Sequence, residues 1–280
     1  GVETPSGNVE AEYVVNCTGM WARQLGARAG VNIPLQAAEH YYLITEKIAG
    51  IDPSLPVLED PSSHAYYREE VGGLMIGLFE PVCAPWKVGG VPEDFSFGEI
   101  PPDWERMLPY VETAMRRIPA SMDAGVKKFF CGPESFTPDL LPVVGEAPEL
   151  RNYFVAAGLN SIGIIIGCGL GRLLAHWIVN GRPDVDVTPF NIDRLHRYQA
   201  NPEYLRSRTV ESLGMVYQCH YPTRALHTAR GHRCAHRRQL GRAGRGRMRR
   251  LMRIDARLRQ AGAQVPGAGR WVWATIGGFA

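Results

Sequence analysis

Asn152-Tyr153-Phe154-Val155-Ala156-Ala157, continued by Gly158-Leu159-Asn160-Ser161-Ile162-Gly163 and the apolar run to Val179, is the stretch that decides the fold. A short apolar run stops at a glycine and a helical pattern follows, so the segment predicts a strand, a Gly-rich turn and a buried helix closed by Asn180-Gly181 and Pro183. The same grammar opens the chain. Residues 1–4 and 9–17 read as two strands joined by Pro5-Ser6-Gly7-Asn8, and the second ends in Val14-Val15-Asn16-Cys17-Thr18-Gly19 before the helical pattern of Trp21, Ala22 and Leu25. Between these pieces, from Val31 to about Lys128, the character changes to short strands at residues 41–45, 65–68 and 74–79. Trp104, Met107, Leu108, Val111, Met115 and Ile118 lie at helical spacing, with Pro109 to be placed in a first turn or at a kink. The fold class expected is α/β (α+β). A Rossmann-like framework, residues 1–30 and 129–183 and expected to be incomplete at its N-terminus, carries an inserted antiparallel sheet at 31–128, and a further helical segment at 184–221 around Pro202-Glu203-Tyr204-Leu205 is expected to start a central linker domain.

The chain has 280 residues, 45% of them hydrophobic and 21% charged, which excludes disorder, collagen and coiled coil as descriptions of the whole. Its net charge of +3 hides a split. Residues 222–280 hold 14 Arg, no Lys and one acid, Asp255, leaving 17 basic against 27 acidic side chains in residues 1–221. Six Cys without a C-x-x-C fit neither a disulfide framework nor a zinc ribbon and favour a reducing interior. The apolar stretch 162–174 contains five Gly and Cys residues and reads as too short and interrupted to span a bilayer, so no membrane is expected. Gly1-Val2-Glu3-Thr4 is no signal peptide, and the expectation is a fragment that begins inside a domain.

Several constellations bear on chemistry. At the turn Gly158–Gly163, small residues let backbone N–H groups approach a ligand, and the helix start favours an anion or an electron-rich carbonyl; a tight turn needing Gly for geometry alone reads the same way. Gly167-Cys168-Gly169-Leu170-Gly171 lies inside the helix and is not a dinucleotide fingerprint, which occurs nowhere in the chain; its glycines predict close packing against a neighbour. His40 and Tyr66 lie on different strands of the inserted sheet and could share a face, although structural His and Tyr are common in strands. Ser135-Phe136-Thr137-Pro138-Asp139 with Pro142 and Gly145 is either a rigid turn or a pocket lining. Hydrolase, metalloprotease and kinase motifs are absent, and no metal site is expected. The Arg-rich tail carries irregularly spaced Cys and His and has no aromatic residue between Tyr221 and Trp271, which disfavours zinc and nucleic acid. Its abrupt composition break near Pro222 predicts a non-native, frameshift-like or disordered segment.

Val15-Asn16-Cys17-Thr18-Gly19-x-Trp21-Ala22, Pro34-Leu35 with His40, Tyr66-x-Arg68, Cys131-Gly132-Pro133-Glu134-Ser135-Phe136-Thr137-Pro138-Asp139, Gly145-Glu146-Ala147-Pro148-Glu149-Leu150 and Leu174-Ala175-His176-Trp177-Ile178-x-x-Gly181-Arg182-Pro183 together resemble the sarcosine and dimethylglycine dehydrogenases, flavin enzymes with a D-amino-acid-oxidase type of fold. The resemblance runs from Gly1 to about Tyr221. It implies FAD as cofactor and oxidative N-demethylation of a small N-methylated amino acid by hydride transfer to the flavin. Thr18, Gly19 and Trp21 would flank the FAD, and Gly158, Leu159, Asn160, Ser161, Ile162 and Gly163 would face the flavin pyrimidine. His40 and Tyr66 match the family's active-site His and Tyr. The family's dinucleotide fingerprint and the His that carries FAD covalently would lie ahead of Gly1, and a folate-binding module would follow, so the fragment itself is expected to be inactive. Cys168 stands where relatives usually have Gly. The alternative is a non-catalytic regulatory homologue resembling the pyruvate dehydrogenase phosphatase regulatory subunit. The electron acceptor, oxygen or an electron-transfer flavoprotein, stays open, and the expected compartment is the cytoplasm, or the mitochondrial matrix in a eukaryote.

Overall fold

The computed structural model describes residues 1–217; the expectations for 222–280 lie outside them. In chain order the elements are β1 (Val2–Thr4), β2 (Gly7–Val9), β3 (Val14–Asn16), α1 (Ala22–Arg28), β4 (Gln36–Thr45), β5 (Leu58–Asp60), β6 (Ala65–Glu70), β7 (Gly73–Leu78), α2 (Trp104–Arg117), β8 (Val126–Phe136), β9 (Val143–Glu146), β10 (Tyr153–Ala157), α3 (Gly163–Asn180) and α4 (Pro202–Ser212). The strand expected over 9–17 is two elements. β2 closes an exposed hairpin with β1, whereas β3 pairs elsewhere, because Glu10, Ala11, Glu12 and Tyr13 stay in solvent and bury nothing that would continue the strand.

A three-stranded sheet of order β3-β10-β9 carries the framework, with β10 parallel to β3 and antiparallel to β9. The period of two along β10 sends Tyr153, Val155 and Ala157 into a core with Ala22, Val31, Ile33 and Leu35, and Phe154 into a second core with Leu173, Leu174 and Trp177 of α3. α3 ends as its sequence predicts, at Gly181 with φ +70. It extends past 174 to Asn180, and by length and composition alone its 18 residues of mean hydropathy 1.3 suffice to cross a membrane. The packing expected of its glycines is not supplied by the described residues: nothing lies within 4 Å of a Cβ added at Gly167, Gly169 or Gly171.

The second sheet is antiparallel throughout, order β5-β6-β7-β4-β8. Residues 129–136, which the sequence groups with the framework, hydrogen-bond to β4 in this sheet. One face packs on α2 through Tyr41, Leu43, Tyr67, Leu74, Ile76 and Leu78 against Met107, Val111 and Ala114. α2 starts where Asp103 accepts from the Arg106 N–H, and it passes through Pro109 at the loss of one i−4 bond.

At the start of α2 the sheet buries charge. Arg106 donates to Glu39 Oε2 at 2.7 Å and to Glu80 Oε1 at 3.0 Å, and Glu80 is fully buried. Burial pushes the Glu80 carboxyl above the usual carboxylate range, and the attraction of His40 and Arg106 opposes it. Arg106→Leu therefore strands a buried acid and is expected to destabilise the protein by about 3 kcal/mol or more, read as a lowered denaturant midpoint. A variant as stable as the parent would show that the pair contributes nothing.

Candidate active site

Register decides what meets on the sheet face turned away from α2. β4 pairs His40 with Gly132 of β8 and Tyr42 with Gly77 of β7, and β6 places Tyr66 opposite the same Gly77. Residues directly opposite in a ladder point to the same side, so His40, Tyr42, Tyr66, Gly77 and Gly132 share one face. Phe79, just beyond β7 and held by its N–H to the His64 carbonyl at 2.8 Å, stands between the two residues singled out in the sequence. Its ring centroid is 4.8 Å from that of His40 and 5.8 Å from that of Tyr66. Tyr217 meets Phe79 edge-on at 4.7 Å, and Leu213 and Val216 complete the cover over this face.

His40 Nδ1 lies 2.5 Å from Glu134 Oε2, on the strand next door, while among the described residues no group meets His40 Nε2, which is buried, in full hydrogen-bond geometry. Burial works against the imidazolium, but the hydrogen bond and charge of Glu134, aided by the charge of Glu80 and by the Leu78 backbone carbonyl, outweigh it and raise the His40 pKa. Burial pushes the Tyr66 phenol up to about 12, with Glu134 adding to it, so this hydroxyl stays a donor at neutral pH. The Tyr66 ring needs the bare backbone of Gly77: a Cβ there would sit 1.9 to 2.3 Å from its ring and hydroxyl atoms.

At one end of this sheet lies the Gly158–Gly163 turn. Asn160, buried and at φ +51, accepts from the Thr137 N–H at 2.8 Å and from its hydroxyl at 3.2 Å, and donates to the Gly158 carbonyl at 2.6 Å. Thr137 directly follows Phe136, the last residue of β8, so the turn is fastened to the strand that carries Glu134 and Gly132. Gly158 has φ +63, and a Cβ there would meet the Thr137 methyl at 2.5 Å, so geometry alone requires this glycine. Ser161 also has positive φ, Leu159 packs on Gly163, and α3 begins after Ile162 with no side-chain cap and no acid in its first turn. An uncapped helix start of this kind suits an electron-rich carbonyl, which fits a flavin. Of the other residues singled out for the cofactor, Gly19 has φ +58 and adjoins Thr18, which with Trp21, Gln24, Leu25, Arg28 and Glu93 lines an open groove of about 370 Å³. Trp21 Nε1 donates to the Pro92 carbonyl at 3.2 Å.

Spacing along the chain does not reveal Glu134, Phe79 or Gly77 as parts of the cluster. Only pairing brings them there, although Glu134 sits within the quoted Cys131–Asp139 motif. Gly77→Ala is expected to displace the Tyr66 ring and cost about 1–3 kcal/mol, measured as a lower denaturant midpoint with altered Tyr near-ultraviolet dichroism; an unchanged midpoint and spectrum would show that the ring does not depend on this glycine.

Comparison with known proteins then places the chain. Residues 1–177 match the family of FAD dependent oxidoreductases, and residues 180–235 match the FAD dependent oxidoreductase central domain. It is 42% identical over 230 residues to the 4-methylaminobutanoate oxidase (formaldehyde-forming) of Paenarthrobacter nicotinovorans, covering 82% of this chain and 28% of that protein. It is 41% identical over 223 residues to the mitochondrial sarcosine dehydrogenase of Homo sapiens, covering 79% and 24% respectively. Among solved structures, L-proline dehydrogenase from P. horikoshii superposes with a TM-score of 0.56 at 27% identity, over 69% of this chain and 50% of that one. The chain thus spans about a quarter of the length of these curated relatives, and it belongs to the FAD-dependent oxidoreductase family of the D-amino-acid-oxidase type.

Proposed function

We propose that the protein takes part in oxidative demethylation of a small N-methylated amino acid, with His40 and Tyr66 handling the substrate amine. The observation that carries this reading is the placement of both rings against Phe79 on one sheet face. A secondary ammonium with a Lys-like pKa near ~10 must lose a proton before its N-methyl carbon can release hydride, at a cost of roughly 4 kcal/mol at pH 7. His40 accepts that proton, and the protonated Tyr66 phenol donates a hydrogen bond that orients the amine or its carboxylate. FAD, when bound, supplies the hydride acceptor. Thr18, Gly19 and Trp21 and the start of α3 would hold it. Phe79, Tyr217 and Leu213 exclude bulk water from the amine, and water that enters after oxidation hydrolyses the iminium to formaldehyde and the demethylated amine.

Substrate choice within the class is tested by recording flavin absorbance of the FAD-loaded protein, produced with its natural flanking sequence, during titration with sarcosine, dimethylglycine and 4-methylaminobutanoate. The expected result is bleaching by at least one of the three. Bleaching by none would overturn the reading and favour a non-catalytic regulatory homologue. The pH dependence follows from the sign of the His40 shift. A raised pKa keeps the imidazole protonated further into the neutral range, so the rate of bleaching should climb with pH through a midpoint above the ordinary His value of about 6.5. His40→Ala removes the base and should move the rise toward the pKa of the free amine, near ~10; an unchanged profile would refute a proton-accepting His40.

A further inference from the structure

We propose that Glu134 is a positioning residue for His40: it holds Nδ1 as a hydrogen-bond donor and so leaves Nε2 as the nitrogen that takes the substrate proton. The inference rests on the proposed function for the identity of the proton donor, but the pairing itself stands on geometry. Glu134 lies opposite Ala38 in the β4–β8 ladder, two residues along the same face from the His40–Gly132 pair, so its side chain reaches the imidazole diagonally across the strands. Its Oε2 is 2.5 Å from Nδ1, and the two side chains are 25% and 11% exposed, so the pair is largely shielded from water. Gly132 presents no side chain to the imidazole from β8, and Phe79 closes the β7 side at 4.8 Å. A carboxylate can only accept, so the neutral imidazole beside it must carry its proton on Nδ1, which makes Nε2 the lone-pair nitrogen.

The proton count is simple. The substrate ammonium loses one proton, Nε2 gains it, and the resulting imidazolium stays paired with the Glu134 carboxylate, so the local charge changes from −1 to 0 at the pair while the amine goes from +1 to 0. Among the described residues the other charged and titratable groups around His40 are Glu80, just beyond β7, and Tyr66 from β6; Tyr217 meets Phe79 edge-on. Glu80 is already engaged by Arg106 on the α2 side of the sheet, which leaves Glu134 as the acid in hydrogen-bond contact with the ring.

The test is nitrogen NMR on the full 280-residue chain labelled at histidine, with the His40 signals assigned by their loss in His40→Ala. The wild-type ring is expected in the Nδ1–H tautomer above its midpoint. Glu134→Gln, which keeps an acceptor but removes the charge, should lower that midpoint by about 1 pH unit or more, and Glu134→Asp should restore part of the shift. Glu134→Ala should abolish the tautomer preference. A wild-type ring in the Nε2–H tautomer, or a midpoint indifferent to Glu134→Gln, would overturn the proposal. The signals do not depend on turnover. A shifted midpoint in a protein that no methylated amine bleaches would therefore sink the proposed reaction and leave the positioning role in place.

Discussion

A slip of β4 by one residue against β7 and β8 would turn His40 toward α2 and Tyr41 toward the substrate side, because successive side chains alternate across a strand. That register is the constraint on which the rest hangs. It is held by burial on one face, where Tyr41 and Leu43 are almost fully enclosed under α2, and this leaves the even-numbered residues to form the other face. Two glycines, at 77 and 132, then make the second face usable. One accommodates the Tyr66 ring, and the other, opposite His40, accommodates the ring of Phe130. The three-stranded sheet serves as framework. It presents the start of α3 and is tied to β8 by the side chain of Asn160 on Thr137.

The same strands carry charge on both faces. On the α2 side Arg106 bridges Glu39 and Glu80, and on the other side His40 pairs with Glu134. Buried carboxylates are tolerated here because each has a cation or donor within hydrogen-bond reach, in line with the high cost of leaving such a group alone. The acidic excess of residues 1–221 is thus in part an internal arrangement, since Glu39 and Glu80 face Arg106 of α2 and Glu134 faces His40. A cation on one face and an ionisable ring on the other share the influence of Glu80, so the protonation of His40 depends on residues from both sides of the sheet.

Much of the local structure was legible in the sequence. α2 follows from helical spacing, α3 from its apolar run and closing Gly181, α4 from the pattern around Pro202-Glu203-Tyr204-Leu205, and β10 from its apolar run. The long strand β8 was not, because Lys127, Lys128, Gly132 and Pro133 interrupt any alternation, and only its pairing with β4 makes it a strand. The break between β2 and β3 falls at Glu10-Ala11-Glu12-Tyr13, exposed residues that lie between two β-branched stretches and were read through as one strand. His40 and Tyr66 could be singled out through the family resemblance, whereas the partners that give them their chemistry could not. Glu134 and Phe79 lie 94 and 39 residues away in sequence from His40 and reach it through register alone.

Phe79 offers the most direct test, since it touches both rings and makes no hydrogen bond with either. In the FAD-loaded protein, Phe79→Leu keeps the site apolar while removing the ring against which His40 and Tyr66 are set. The expected result is a loss of at least about tenfold in the rate of amine-dependent flavin bleaching, with FAD content and denaturant midpoint near those of the parent. Bleaching at the parental rate would contradict it, because the two residues would then be doing their work without the arrangement described.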